Sequence, residues 1–381
     1  MSAAPAPSAG RGAGAPTGRP GAILRWSGAL LLLAGAFAAD VFTGSEISSS
    51  LYYLVAIAYA AWFLGHLPGV ATAALGALAW LTAYFLVGQR FSRTAVLVWN
   101  LSAEVAVYVA MALAVGFLRR HMGQVQALAD RLTEANRLLD RETRGVGQLQ
   151  RELLPEAPPP VPGYAWSVHY ETSTRAGGDY YDFVTLPDGR IGVLIADASG
   201  HGAPAAVLMA MTRTLLRAAA AEAAAPADRL ARLNRGLGEL LPAGWFVTAC
   251  YAVLDPQSGA LDYALAGHEA PLLRRARDRS VERLALHGGP LLGPFPRATY
   301  ESGRVELERG DALVLYTDGL PEAVNPDGRL LEAEAVLATL ESVPDGRPET
   351  LRARLLERVA AHRAGAALSD DLTLLILSRE A

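Results

Sequence analysis

Aspartates recur in four short clusters of the C-terminal part of the chain, and three of these clusters follow the same pattern. In each of the three, an apolar stretch carries its aspartate at one end or immediately beyond it. The clusters are Gly177-Gly178-Asp179-Tyr180-Tyr181-Asp182, Ile195-Ala196-Asp197-Ala198-Ser199-Gly200-His201-Gly202, Leu315-Tyr316-Thr317-Asp318-Gly319 and Ser369-Asp370-Asp371-Leu372-Thr373. Carboxylates gathered from several strands form a hard-oxygen site, which suits Mg²⁺ or Mn²⁺ better than zinc. A single Asp-Gly is usually a turn, but four clusters together predict a metal centre.

Such a centre has a definite chemistry. Two divalent ions about 3.5–4 Å apart can share a water, lower its pKa towards about 7 and hold a phosphoryl group for in-line attack. This chemistry needs no protein nucleophile. Cys250 is the one cysteine of the chain, which excludes an intrachain disulfide, a CxxC redox pair and a cysteine-rich zinc site. It leads into Tyr251-Ala252-Val253-Leu254 rather than a phosphate-binding loop, so cysteine-dependent phosphatase chemistry is excluded as well.

The elements that must position these aspartates lie in residues 156–381, which we expect to form one domain. Alternation of Tyr164, Trp166, Val168 and Tyr170 predicts a strand with one buried face. Pro187-Asp188-Gly189 predicts the turn of a hairpin. Further strands are expected near 246–254, 260–266, 270–275, 311–316 and 372–378, and helices near 203–223, 226–240, 331–340 and 348–363. Because strands and helices come in runs, the fold class is α+β with antiparallel sheets.

The order of these motifs along the chain carries a family resemblance. Over about residues 149–379, the chain resembles the SpoIIE-type (RsbU-like) branch of the PPM, or type 2C, serine/threonine protein phosphatases. The resemblance implies an α-β-β-α sandwich with a centre of two Mn²⁺ or Mg²⁺ ions between the sheet edges. It also implies hydrolysis of phosphoserine or phosphothreonine on a regulatory protein, such as a phosphorylated anti-sigma-factor antagonist.

The resemblance further implies roles for individual residues. Asp197 would bridge both ions and the carbonyl of Ala198 would complete one shell, while Asp318 and Asp370 would each hold an ion. Asp179 would ligate an ion or orient its water. The supporting residues would be Asp371, Gly178 and Gly200. Two places depart from the family pattern: Arg175-Ala176 replaces Glu-Val, and Gly267-His268-Glu269-Ala270-Pro271 replaces Gly-His-Asn-Pro-Pro.

Two side chains near these motifs have both a functional and a structural interpretation. His201 is a candidate general acid for the leaving oxygen, or a helix-start residue with a structural hydrogen bond. Arg175 is a candidate phosphate ligand, or a solvated surface residue. His268 is expected to be structural.

The N-terminal part has the composition of a membrane region. Residues 21–118 hold six charged side chains, and residues 47–89 contain no Asp, Glu or Arg. About four spans are expected within 21–121, near 24–43, 48–64, 70–88 and 94–118. Arginines before the first span and after the last predict cytoplasmic termini, hence a multi-pass protein of the inner (cytoplasmic) membrane, in contact with lipid, whose phosphatase domain is cytoplasmic. The alternative is a signal peptide at 1–38 followed by three spans. Residues 1–20 are expected to be disordered.

Residues 122–155 carry apolar side chains at alternating steps of three and four. The spacing is interrupted once, where Glu142 takes the position after Leu139. It predicts a coiled coil and a parallel homodimer, with an amphipathic helix packing on its own domain as the alternative. The positions are Val125, Leu128, Leu132, Ala135, Leu139, Val146, Leu149 and Leu153. Within the last span, Asn100 and Glu104 share a helix face, which indicates a ligand or proton site or a hydrogen-bonded packing contact.

Other functions are weaker interpretations of the same residues. A net charge of −4 argues against a nucleic-acid partner. A non-catalytic membrane signalling module with a decayed metal site is one alternative. A diguanylate cyclase is a remote one, because residues 175–179 mimic the signature loop of that family. The short distance from Pro155 to Arg175 leaves no room for its nucleotide-binding segment.

Overall fold

The computed structural model describes residues 19–43, 50–88, 94–219, 224–285 and 289–380. The chain divides into two compact units, Met1–Ala135 and Asn136–Ala381. The predicted disorder of residues 1–20 falls almost wholly outside the described residues. The predicted domain boundaries at 21, 122 and 156 stay predictions.

The first unit is helical. It contains α1 (Arg19–Thr43), α2 (Ser50–Phe63), α3 (His66–Leu86) and the beginning of α4 (Thr94–Leu153). Within the described residues, three helices are long and apolar enough to cross a membrane: Gly21–Thr43, His66–Leu86 and Thr94–Leu153. The remaining predicted span is α2, whose 14 residues are fewer than the roughly 20 that a bilayer core requires.

In the first unit, α1 and α4 make close contacts near the end of α2 and the start of α3. The Arg25 guanidinium at the start of α1 donates to the carbonyl of Phe63 at the end of α2, at 3.4 Å. A methyl group added at Gly116 of α4 would lie 2.8 Å from Cβ of His66, at the start of α3. Glu104 is hydrogen-bonded to Tyr108, which favours the packing-contact interpretation of that carboxylate.

The second unit contains ten strands and four complete helices in the part of the chain that is described. The strands are β1 (Tyr164–Glu171), β2 (Asp179–Thr185), β3 (Ile191–Ala198), β4 (Val247–Leu254), β5 (Ala260–Ala266), β6 (Leu272–Arg274), β7 (Val281–Arg283), β8 (Ser302–Glu306), β9 (Ala312–Tyr316) and β10 (Leu372–Arg379). The helices are α5 (Ala203–Ala218), α6 (Pro226–Leu240), α7 (Ala333–Ser342) and α8 (Pro348–Arg363).

These elements form the four layers of an α-β-β-α sandwich, as predicted. One antiparallel sheet has the order β1-β10-β9-β6-β7 and the other β2-β3-β4-β5-β8. Helices α5 and α6 pack on the second sheet, and α7 and α8 on the first. One core lies between the sheets and includes Ile195, Cys250 and Leu375. Two further cores lie under the helical layers.

Two short strands, β7 and β8, were not predicted. Neither has a fully buried position, and both carry charged side chains such as Glu282 and Arg304, so they lack the apolar alternation that marks the other strands. The hairpin turn at Pro187-Asp188-Gly189 is confirmed, because the amide of Leu186 donates to the carbonyl of Arg190 at 2.8 Å.

The core between the sheets gives a stability prediction. Leu375 is fully buried there, so Leu375→Ala should lower the free energy of unfolding of the second unit by about 2–5 kcal/mol through lost burial and a residual cavity. Leu240→Ala, at a position that is 52% exposed, is the control and should change it little. Denaturant-dependent hydrogen exchange of β9 and β10 measures both, and equal effects would contradict the assignment of this core.

Candidate metal centre

Asp197 stands at the junction of β3 and α5. The antiparallel register places Asp179, the first residue of β2, directly opposite Asp197. The amide of Ala198 donates to the carbonyl of Gly178 at 3.1 Å. Gly200 and Gly202 then have φ angles of 89° and 72°, values that side-chain-bearing residues rarely adopt. They allow the chain to turn sharply into α5; residues 197–202 are called the Asp197 turn below.

The acidic clusters that contain Asp318 and Asp370 lie at the edge of the opposite sheet. Asp318 follows the end of β9, whereas Asp370 and Asp371 precede the start of β10. Because β9 and β10 are antiparallel neighbours, the end of one strand and the start of the next lie at the same sheet edge. The amide of Thr317 donates to the carbonyl of Thr373 at 3.1 Å across this edge.

Electrostatic interactions confirm that the carboxylates are close. Burial raises the pKa of Asp197 to about 8, and repulsion by Asp318, Asp370 and Asp371 adds to this effect. Burial, Asp370 and Glu322 raise the pKa of Asp318 to about 6. The pKa of Asp370 is also raised, first by burial. The pocket therefore concentrates negative charge that only protons or cations can relieve.

Asp179 is the most enclosed of these carboxylates. It is 1% exposed, and its pKa is raised well above the ordinary value by burial and by Asp197. The hydroxyls of Thr317 and Thr373 both donate to its Oδ2, at 2.8 and 2.5 Å. Asp179 thus joins one sheet to two strands of the other. Both threonines lie inside the motifs noted in the sequence, but their role could not be inferred there.

Asp371 accepts hydrogen bonds from the loop between β1 and β2. Its Oδ1 accepts from the amide and hydroxyl of Ser173, at 2.8 and 3.1 Å. Its Oδ2 accepts from the amide of Gly178 at 2.7 Å. These bonds engage both oxygens, so Asp371 holds the loop in place beside the acidic pocket.

The remaining candidates lie around this pocket. His201 is exposed and close enough to Asp370 to lower the pKa of that carboxyl. Arg175 donates to Asp140 of α4 at 2.9 Å, so a phosphate would have to compete with that ion pair. Nδ1 of His268 lies 2.8 Å from the hydroxyl of Thr248, and burial lowers the pKa of His268 to about 4. It is therefore neutral near pH 7.

The donor set fits hydrated hard cations. Among the described residues, no three acidic, histidine or cysteine side chains come close enough together to surround one ion. The available ligands are the carboxylates of Asp197, Asp318 and Asp370 and the carbonyl of Ala198. Mg²⁺ commonly binds through one or two carboxylates and keeps several waters, and this set meets that requirement. The ligand role of each residue remains a prediction.

Known proteins resemble the second unit. A model of the family Stage II sporulation protein E (SpoIIE) matches residues 187–380. The phosphoserine phosphatase RsbU of Bacillus subtilis is 29% identical over 214 residues, 54% of this chain and 60% of RsbU. The chain spans about 40 to 60% of the length of the curated relatives it matches.

Two solved structures add to this likeness. The RsbU and RsbW domains of a Mycobacterium tuberculosis protein have 32% identity and a TM-score of 0.51, over 58% of this chain and 63% of theirs. The SiaA-PP2C domain of Pseudomonas aeruginosa has 21% identity and a TM-score of 0.57, over 64% of this chain and 98% of that domain. At 21% identity, the similarity to the SiaA-PP2C domain is one of fold only.

The raised pKa of Asp197 predicts a pH dependence of stability. Without metal ions, the native protein keeps a proton on Asp197 up to about pH 8, whereas an unfolded aspartate releases it near 3.9. The native state therefore binds more protons in this window, and its free energy of unfolding should fall as pH rises.

Unfolding in EDTA from pH 4 to pH 8 measures this slope. Asp197→Asn should flatten it, whereas Asp188→Asn, in the exposed hairpin turn, should leave it unchanged. Identical slopes for the wild type and Asp197→Asn would contradict the prediction.

Proposed function

The chain belongs to the family of stage II sporulation protein E (SpoIIE), and from this we propose that it is a membrane-bound, metal-dependent protein phosphatase acting on phosphoserine or phosphothreonine. The observation that carries the proposal is the acidic pocket: strand register places Asp179 opposite Asp197, and Asp318, Asp370 and Asp371 from two other chain segments lie close enough to repel the charge of Asp197. A pocket with this charge favours divalent cations. RsbU, a phosphoserine phosphatase by name, matches 54% of the chain.

In this proposal, Asp197, Asp318, Asp370 and the carbonyl of Ala198 hold two Mn²⁺ or Mg²⁺ ions. When bound, such ions polarise a phosphoryl group and lower the pKa of a water. Asp179, fixed by its two threonine hydrogen bonds, keeps one orientation beside Asp197. The protein supplies this rigid arrangement of oxygens before substrate arrives, which is the main requirement of phosphoryl transfer.

Hydrolysis adds water across the phosphoester bond. A water oxygen bonds to phosphorus, the serine or threonine oxygen leaves, and a proton must reach that oxygen. His201 is the proposed donor, because it is exposed at the pocket and close to Asp370.

The proposed substrate is a phosphorylated regulatory protein, such as an anti-sigma-factor antagonist. The likeness to a structure that combines RsbU and RsbW domains supports this class. The two departures from the family pattern lie beside the pocket. Glu269 accepts a hydrogen bond from Tyr316 at 3.3 Å, and Arg175 pairs with Asp140. Both positions bear on which protein is bound.

The first unit is proposed to lie in the cytoplasmic membrane in contact with lipid, with the second unit in the cytoplasm. Arg119 and Arg120 line a cavity of about 260 Å³ together with His66 at the start of α3. Arg25 lies at the same end of the helices, beside Phe63. Arginines collected at one end match the cytoplasmic side. Leu33 and Ala36 of α1 are buried in the core of this unit, which favours a retained first span over a cleaved signal peptide.

We also propose a homodimer formed through α4. Its apolar side chains at the 3-4 positions are widely exposed, for example Leu128 at 67%, Leu132 at 62% and Leu139 at 62%. A second copy of the helix would bury this stripe as a coiled coil. Further along, Leu153 packs on the core of its own unit. The coiled-coil and domain-packing interpretations therefore suit successive parts of the same helix.

The phosphatase proposal is tested on the full chain in lipid nanodiscs, with p-nitrophenyl phosphate and a phosphoserine peptide. We expect Mn²⁺-dependent turnover that falls on the order of a thousandfold in Asp197→Ala and Asp318→Ala. Asp188→Ala is the control and should retain wild-type turnover. An inactive wild type whose melting temperature does not respond to Mn²⁺ would instead support the non-catalytic module.

The dimer proposal is tested by light scattering of the full chain in detergent. Leu132→Glu places a charge in the apolar stripe and should shift the protein to monomer. Arg137→Glu, on the outer face of the proposed coiled coil, is the matched charge change and should leave a dimer. A monomeric wild type would refute the proposal.

A further inference from the structure

The last turns of α4 pack directly on the loop that leads to Asp179. Gly147 and Gln150 are buried on this face of the helix, although the preceding part of α4 is largely exposed. A methyl group added at Gly147 would lie 1.8 Å from the carbonyl oxygen of Arg175. The helix backbone therefore approaches the loop so closely that only glycine fits there.

Gln150 makes a paired contact with the same loop. Its Nε2 donates to the carbonyl of Gly177 at 2.8 Å, and its Oε1 accepts from the amide of Gly177 at 2.9 Å. The side chain thus satisfies both backbone groups of one residue and is itself only 3% exposed. A buried pair of this kind is costly to break, because every group in it would be left unpaired.

Residues 176–178 connect this contact to the acidic pocket. The carbonyl of Ala176 accepts from the amide of Gly202, and the carbonyl of Gly178 accepts from the amide of Ala198. The amide of Gly178 donates to Asp371. The segment also lies close against the Asp197 turn, since a methyl group added at Gly178 would clash with the carbonyl oxygen of Ala198.

We propose that Gln150 is a positioning residue for the acidic centre: by holding Gly177 it fixes residues 176–178, and through them the Asp197 turn. The inference deepens the proposed function and rests on it for its catalytic meaning. Gln150 touches neither substrate nor ion, and its effect passes through backbone hydrogen bonds. Gly147 takes part by allowing the helix to lie against Arg175.

The chain offers two matched controls on the same helix. Gln148 is exposed and donates to Glu152 at 3.2 Å, so Gln148→Ala removes the same side chain from the outer face. Gly145 has no atom within 4 Å of an added methyl group, so Gly145→Ala makes the same change as Gly147→Ala without the clash.

The experiment measures hydrogen exchange of the full chain in nanodiscs with EDTA, in peptides covering residues 172–180 and 195–202. Gln150→Ala and Gly147→Ala should speed exchange roughly tenfold in both peptides, while Gln148→Ala and Gly145→Ala keep wild-type rates. Gln150→Glu, which keeps the acceptor for the Gly177 amide, should fall between wild type and Gln150→Ala. Calorimetric titration with Mn²⁺ should show weaker binding in the same order.

The outcomes separate the inference from the proposed function. Faster exchange confined to residues 172–180, with the Asp197 turn and Mn²⁺ affinity unchanged, would overturn the positioning role and leave a packing contact. The expected exchange pattern with weaker Mn²⁺ binding supports it, even where the wild type shows no phosphatase activity. A wild type without phosphatase activity would refute the proposed function but not the positioning role of Gln150.

Discussion

Repulsion between buried carboxylates is the constraint on which the second unit depends. Asp179 and Asp197 come from one sheet, and Asp318, Asp370 and Asp371 come from the ends of two strands of the other. Like charges close together repel one another, as the raised pKa values of Asp197 and Asp318 indicate, so nothing among these side chains draws them together. The rest of the fold must hold them: strand register, the threonines that bond Asp179, and the crowded loop that Asp371 anchors.

Those parts of the architecture that depend on local pattern could be predicted. The alternation of apolar residues in β1 and the turn chemistry between β2 and β3 are visible within a few residues of sequence, and the observed strands agree within about two positions. The acidic clusters were recognisable because each aspartate follows or precedes an apolar strand. β7 and β8 were not predicted, because strands without buried side chains show no alternation of apolar and polar residues in the sequence.

Contacts between distant parts of the chain could not be predicted in this way. Thr373 and Asp179 are separated by 194 residues, and Gln150 and Gly177 by 27; neither spacing carries a pattern. The contacts of helix α4 could not be predicted either. A coiled-coil seam and a face that packs on a domain both require apolar residues every three or four positions, so the spacing does not distinguish them. Gly147 has no side chain and gives no signal in the apolar spacing, whereas the structure gives it a neighbour, the carbonyl of Arg175.

The contact between Gly147, Gln150 and the loop also makes the rotational phase of α4 matter more than its length. An α-helix turns by about 100° for each residue, so one residue inserted ahead of Asp140 would turn the exposed apolar stripe by about 100° around the helix axis relative to Gln150. Seven inserted residues would return it to within about 20° of its original direction. In the proposed dimer, an insertion ahead of Asp140 therefore keeps the direction of the apolar stripe only when it adds whole heptads.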